Sequence, residues 1–235
     1  MMRIVRGVIL AALVCAARAA GQYEEPVDVA PPEWRYVWAG AAFRTFEPLA
    51  SNTAAPDAQI TYDAVMVSAG LRQGPVDLSV GYASYDQRGE SFSSVIVNLL
   101  YAFPFALTGP GRTAVFLPVF VGADYTKAEA AGPERNTFNI ASIGAGLGLE
   151  VRHRTPGLEL SVRAGGLAHY STEAYNFTGG FSAAVVGEAA VLLPRIRIGD
   201  GLALGYRVRY QTWSMSDEVF NYKTLAHGPF LGVML

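Results

Sequence analysis

Cysteine is almost absent from this chain: Cys15 stands alone, so there is no disulfide framework and no paired thiol chemistry. Charge is scarce too. Charged residues make up 16% of the sequence, well under the usual quarter. Acids outnumber bases 20 to 18, which excludes the basic footprint of a nucleic-acid binder. After residue 20 no apolar run approaches the roughly 18 residues that a membrane-crossing helix needs. The three histidines, His153, His169 and His227, are scattered and show no metal-ligand spacing. Gly144-x-Gly146-x-Gly148 lies in a strand pattern with no helix after it, so it reads as close packing and not as a phosphate loop. No cofactor and no metal are implied.

The N-terminus has a layout of its own. Arg3 and Arg6 precede an apolar stretch from Val8 to Ala17, and Ala17-Arg18-Ala19-Ala20 carries an Ala-x-Ala pair. This predicts a secretory signal peptide over 1–20, cleaved near Ala19 or Ala20. A buried N-terminal helix is one competing reading. A lipoprotein anchored at Cys15 is another, but Leu13-Val14 lacks the small residues that such cleavage needs. Removing 1–20 takes away Cys15 and three arginines (Arg3, Arg6, Arg18) and no acid, so the formal charge moves from −2 to −5. Residues 21–33, with Pro26, Pro31 and Pro32, read as a polar periplasmic lead-in.

Hydrophobic residues are nonetheless 51% of the chain, with 25 Gly and 12 Tyr. A chain this apolar, without helical spans, must hide its apolar groups on alternate residues. Ten strands are expected, at 34–46, 60–71, 76–85, 92–103, 113–125, 137–153, 158–171, 181–193, 202–213 and 225–235. Val76, Leu78, Val80 and Tyr82 alternate with Asp77, Ser79, Gly81 and Ala83. Leu202, Leu204, Tyr206, Val208 and Tyr210 alternate with Ala203, Gly205, Arg207, Arg209 and Gln211. A period of two puts these sets on opposite faces. Pro118 inside the fifth strand predicts a bulge or a local defect.

Short turns at 72–75 and 154–157 alternate with longer polar connections, the pattern of an outer-membrane barrel. The fold expected for 34–235 is therefore all-β: a closed antiparallel transmembrane barrel of ten strands, eight being the alternative, in meander order. Closure is required because an open edge leaves backbone groups unpaired in hydrocarbon, at several kcal/mol or so each. Both termini then face the periplasm. The connections 47–59, 86–91, 126–136, 172–180 and 214–223 face outside. The aromatics Trp34, Tyr36, Trp38, Tyr82, Tyr85, Tyr101, Phe103, Tyr125, Tyr170, Tyr210 and Trp213 are expected to form interfacial belts. In the last strand, Leu231, Val233 and Leu235 facing lipid would turn Phe230, Gly232 and Met234 inward. The chain resembles outer-membrane barrels in ending within a strand, but ends in Leu235 where Phe is commonest.

With the apolar face outward, Glu150, Arg152, Arg163, Glu188, Arg207 and Arg209 point into the lumen, where charge avoids a cost of about 2–4 kcal/mol for Arg in mid-bilayer. Glu188 has arginines on both neighbouring strands. Two uses of such a lumen are open: a polar network that fills a narrow barrel, or a small channel with a charged constriction. Inward Gly144, Gly146, Gly148, Gly165 and Gly205 either leave room or let Phe116 and Phe120 pack across them.

The segment Ala168-His169-Tyr170-Ser171-Thr172 resembles the His-x-Ser of outer-membrane lipid A deacylases, which remove an acyl chain from lipopolysaccharide. The resemblance covers three residues and implies His169 as base and Ser171 as nucleophile near the outer rim. It supplies no orienting carboxylate: Glu173 is too close in sequence, Glu188 lies in no matching motif, and that family is eight-stranded. In strand number the chain is similar to the ten-stranded omptin proteases. That likeness makes Asp124 and His169 rim candidates, but the paired aspartates are missing and the strands are read as too short for a raised cleft. With no complete catalytic set, no catalytic, cofactor or metal residue is assigned. The chain reads first as a non-enzymatic structural or interaction barrel, with a narrow channel, a lipid-modifying enzyme and a soluble periplasmic barrel as alternatives. The expected surroundings are outer-membrane lipid, lipopolysaccharide and the barrel assembly machinery, plus an unidentified protein partner.

Overall fold

A computed structural model describes residues 34–87, 90–108, 111–131, 137–173, 179–194, 196 and 199–235. The signal peptide at 1–20 and the lead-in at 21–33 lie outside the described residues. So do the tips of three predicted outer connections, at 88–89, 132–136 and 174–178.

Ten antiparallel strands close on themselves: β1 (Arg35–Pro48), β2 (Tyr62–Gln73), β3 (Val76–Gln87), β4 (Glu90–Ala106), β5 (Thr113–Ala131), β6 (Thr137–Thr155), β7 (Leu158–Glu173), β8 (Gly179–Leu193), β9 (Gly201–Met215) and β10 (Tyr222–Met234). Each strand pairs with its sequence neighbours, and β1 pairs with β10 to seal the wall. The even number returns both termini to one end, here the near end; the other is the far end. The expected ten-strand meander is the fold, and eight strands are not.

Parity sorts the side chains. Phe43, Val67, Ile143, Leu147, Val185 and Phe181 stand outward, Phe181 at 72% exposure and Phe43 at 63%. Inward on the same strands lie Arg44, Met66, Ser142 and Glu188, all buried. An apolar outer wall around a polar interior is a membrane barrel, since a soluble barrel would put charge outside. Phe230 and Gly232 face in while Leu231 faces out, as expected for the last strand.

Most strands are longer than the sequence pattern suggests, while β2 keeps its expected length and shifts by two residues. β5 and β6 run 19 residues each, while β2 and β3 run 12. A tilted membrane strand needs about 9–11 residues, so the β5–β6 hairpin extends well past the bilayer. The expectation of strands too short to rise above the membrane is corrected for this side of the barrel. Polar outward residues such as Lys127 and Glu129 hid the continuation of β5. The turn expected at 72–75 contracts to Gly74-Pro75, with Gly74 at φ 54°, and this returns Arg72 to β2, facing in. Gly157, at φ 92°, makes the equally tight β6–β7 turn.

Pro118 marks a defect and not a bulge. It keeps its partner Pro104 on β4, while pairing to β6 lapses at Leu117 and Pro118 and resumes in the same register at Val119↔Leu147. Pro229 does likewise in β10: it stays opposite Tyr206 on β9, and the β1 pairing lapses beside Ala41 and Ala42. Proline has no N–H to donate to the ladder, so each removes pairing toward one neighbour only.

Candidate functional site: the filled lumen

The interior changes character along the barrel. Near the termini, seven charged side chains meet across the lumen: Arg72 (β2), Asp77 (β3), Glu150 and Arg152 (β6), Arg163 (β7), Glu188 (β8) and Arg207 (β9). Arg207 grips Asp77 with two nitrogens, at 3.2 and 3.0 Å, and reaches Glu188 at 2.8 Å. Arg72 donates to Glu188 from the opposite wall and lies 3.9 Å from Glu150. Arg163 stands 3.4 Å from Asp77 and 3.7 Å from Glu188. Glu150 accepts from Arg152 at 2.7 Å and from Ser161 at 3.2 Å. The register already placed Glu188 opposite Arg163 on β7 and Arg207 on β9.

Rings cover the guanidinium faces. Arg207 lies 4.0 Å from the Trp38 centroid and 4.9 Å from Phe230, and Arg152 lies 4.9 Å from Trp34 and 4.7 Å from Phe116. Such contacts stabilise a cation most when it is desolvated. Trp34, Tyr36 and Trp38 are thus buried in the lumen, which corrects their expected place in an interfacial belt. Tyr85 and Trp213 also turn inward, whereas Tyr82, Tyr170 and Tyr210 stand outside as expected. Buried rings line the inner wall at both ends, so alternation around them did not reveal which face was which.

Above the network, Phe120 lies across Gly148 and Gly165, where a Cβ on either glycine would run into its ring. The inward glycines here make room for packing and not for a pore. Beside Phe120 sit Leu100, Ala102 and Leu167. A cavity of about 150 Å³ remains, lined by β1–β4 and β7–β10. Higher still, Asp124 accepts from Arg209 at 2.9 Å and from Gln211 at 3.1 Å. Arg44, only 1% exposed, donates to Ser94 at 2.6 Å and Thr224 at 3.1 Å.

The far end is closed by rings. Phe46 stacks on Tyr222 at 4.8 Å and Tyr62 at 5.3 Å, and meets the edge of Phe138 at 5.0 Å; Phe138 meets Trp213 at 5.2 Å. Two connections lie over this plug. Asn52 donates to the Val219 carbonyl at 2.8 Å, Asn221 donates to Ser51 at 3.0 Å, and the Leu49 N–H donates to the Asn221 carbonyl at 2.9 Å. Residues 49–61 and 216–221 are thereby clasped.

His169 and Ser171 face inward below this plug, 2% and 0% exposed, and not at an accessible rim. Ser171 Oγ donates to Ser142 Oγ at 2.9 Å, and no hydrogen bond joins it to His169 among the described residues. His169 Nε2 lies 3.6 Å from Asp124 Oδ2. The structure therefore brings Asp124 and His169 together, yet Asp124 is committed to Arg209 and Gln211. This is not a nucleophile and its oriented base. Among the described residues no group of three or more His, Cys, Asp or Glu side chains is arranged to hold a metal.

Sequence reading found Glu150, Arg152, Arg163, Glu188, Arg207 and Arg209, all of which face in. It missed Arg72, assigned to a turn, and Arg44. Asp77 was visible on the small, polar face of its strand.

No protein-family model matches the chain, and no curated protein matches it. Among solved structures it is similar to Neisserial surface protein A, at 12% identity over 86% of this chain and 97% of that one, TM-score 0.38. It is also similar to the outer membrane protease OmpT from Escherichia coli, at 7% identity over 90% and 99%, TM-score 0.41. The translocator domain of the autotransporter NalP from Neisseria meningitidis matches at 10% identity over 99% and 98%, TM-score 0.36. At these values none of them bears on activity. The closed barrel with its apolar belt is that of a small outer-membrane β-barrel protein.

Proposed function

We propose that this protein is a non-conducting, non-enzymatic scaffold of the outer membrane, presenting its far-end connections to the exterior. One observation carries the reading: the lumen is crossed at two levels, by the Arg72–Glu188–Arg207 network and by the Phe46–Phe138–Trp213 plug. An ion would have to displace both. The clasp between 49–61 and 216–221 favours a surface held ready for a partner, because ordering costs are met before binding. On this reading the near end is periplasmic, residues 1–20 are removed on export, and lipopolysaccharide and the barrel assembly machinery are its surroundings. Planar-bilayer recordings test it. The native barrel should give no unitary steps, and Phe46→Ala combined with Glu188→Ala should give them. Stable steps from the native protein would sink the proposal.

A further inference from the structure

The barrel wall has one long unpaired seam. Pairing between β2 and β3 runs from Gln73↔Val76 to Val67↔Tyr82 and stops. Beyond it, residues 62–66 pair only with β1, and residues 83–87 only with β4. In hydrocarbon such a seam would cost several kcal/mol or so per unpaired group. The outward residues place it elsewhere: Asp63, Ser84 and Asp86 are exposed along it, with Val65, Val67 and Tyr82 at its lower edge. It lies at the headgroup level, where water satisfies backbone.

Behind the seam stands Met66, buried with Ala83 and Ile96. Its Sδ lies 2.6 Å from where a Cβ on Gly81 would be. An unbranched thioether is a pliable filler. Met66, Gly81 and Ile96 also line the mid-lumen cavity, together with Leu100, Val186 and Phe230. At about 150 Å³, the space equals that of an apolar cavity that takes up benzene.

One wall of this cavity is polar and incompletely paired. Trp38, Gly70, Ser79 and Asn98 form one row across β1 to β4. Gly70 has no Cβ, and the Trp38 indole lies over it. Asn98 donates to Ser79 at 3.4 Å, while Asn98 Oδ1, Trp38 Nε1 and Arg207 Nε have no hydrogen-bond partner among the described residues. Trp38 is more than nine-tenths buried. The row therefore offers one acceptor and one donor beside an apolar space, and Arg207 on β9 adds a second donor. Its charged neighbours Asp77, Glu188, Arg163 and Arg207 already pair with one another, and Arg209 pairs with Asp124, so a further ion gains little.

We infer that the cavity is a binding site for a small neutral hydroxyl-bearing apolar molecule of phenol size, admitted from the headgroup region between β2 and β3 past Met66. The hydroxyl donates to Asn98 Oδ1 and accepts from Trp38 Nε1 or Arg207 Nε. The ring lies against Leu100, Val186 and Phe230. Lateral access needs no open lumen, so it is independent of conductance.

The test is 19F NMR with 4-fluorophenol, fluorobenzene and 4-fluorobenzoate on the folded barrel in bilayer nanodiscs, with folding checked by heat-modifiable migration. Saturable binding of 4-fluorophenol is expected, about tenfold weaker binding of fluorobenzene, and none of the benzoate. Val186→Phe should abolish binding by filling the space. Asn98→Leu should bring the phenol down to the level of fluorobenzene. A Val65→Cys/Ser84→Cys disulfide should slow uptake at least tenfold and leave the equilibrium affinity unchanged, with reduction restoring the rate. No saturable binding to the native barrel, binding untouched by Val186→Phe, or benzoate binding as well as phenol would overturn the site. An uptake rate unaffected by the oxidised staple would overturn the route.

Discussion

The two ends of the lumen solve one packing problem with opposite chemistry. At the near end the space is filled by four arginines and three acids, faced with Trp34, Trp38, Phe116 and Phe230. At the far end it is filled by uncharged apolar packing, the rings of Phe46, Tyr62, Phe138, Trp213 and Tyr222 with Ile60, Ile140 and Met215 among them. The ionic level joins β2 and β3 to β6–β9 directly across the barrel. Its strength depends on every member being present, because a buried charge that loses its partner is left desolvated. The aromatic level has no such all-or-none character: a missing ring leaves a cavity whose cost scales with its volume.

That difference can be broken at Glu188, which meets Arg72, Arg163 and Arg207. Glu188→Ala should cost about 3–5 kcal/mol, the range for stranding a buried partner. It should be read as a lowered midpoint of urea unfolding in lipid vesicles. A loss under about 1 kcal/mol would show that the network is not desolvated. At the other level, Phe46→Ala should cost about 3–4 kcal/mol by cavity formation, and Phe46→Leu much less. Equal losses for the two Phe46 variants would contradict a packed plug. A double-mutant cycle on Glu188 and Phe46 should be additive within about 0.5 kcal/mol, since the two levels share no partner. A smaller loss is expected from Ser171→Ala, about 1 kcal/mol from the lone hydrogen bond to Ser142, with lipid A acylation unchanged in cells expressing either form. Acyl loss that depends on Ser171 would restore the enzymatic reading.

The strands and their facing were legible because lipid outside and a polar lumen inside impose a period of two. Val76–Tyr82 and Leu202–Tyr210 show it plainly. The site was legible only where the lumen is charged. Arg207 and Arg209 announce an inward face, whereas Trp34, Tyr36 and Trp38 alternate with Arg35, Val37 and Ala39, so neither face looks like lipid. Arg72 escaped because a two-residue turn led by a positive-φ glycine is shorter than the polar cluster around it. The seam between β2 and β3 leaves no mark in composition at all. It is a property of register, set by how far two strands follow each other.

The smallest effect concerns the two prolines, which differ in facing but act alike on the ladder. Pro229 stays opposite Tyr206 on β9 while its β1 pairing lapses, so the missing N–H is one that would point to β1. Pro229→Ala restores that donor, worth about 1 kcal/mol. It also frees the unfolded chain, which costs about 0.4–1 kcal/mol. The two nearly cancel, so the unfolding midpoint should hardly move. The change should show locally instead, as a protected amide at position 229 in hydrogen exchange and restored pairing beside Ala41. A drop of more than about 2 kcal/mol would mean that the interruption in the β1–β10 closure is required by the barrel and not merely tolerated by it.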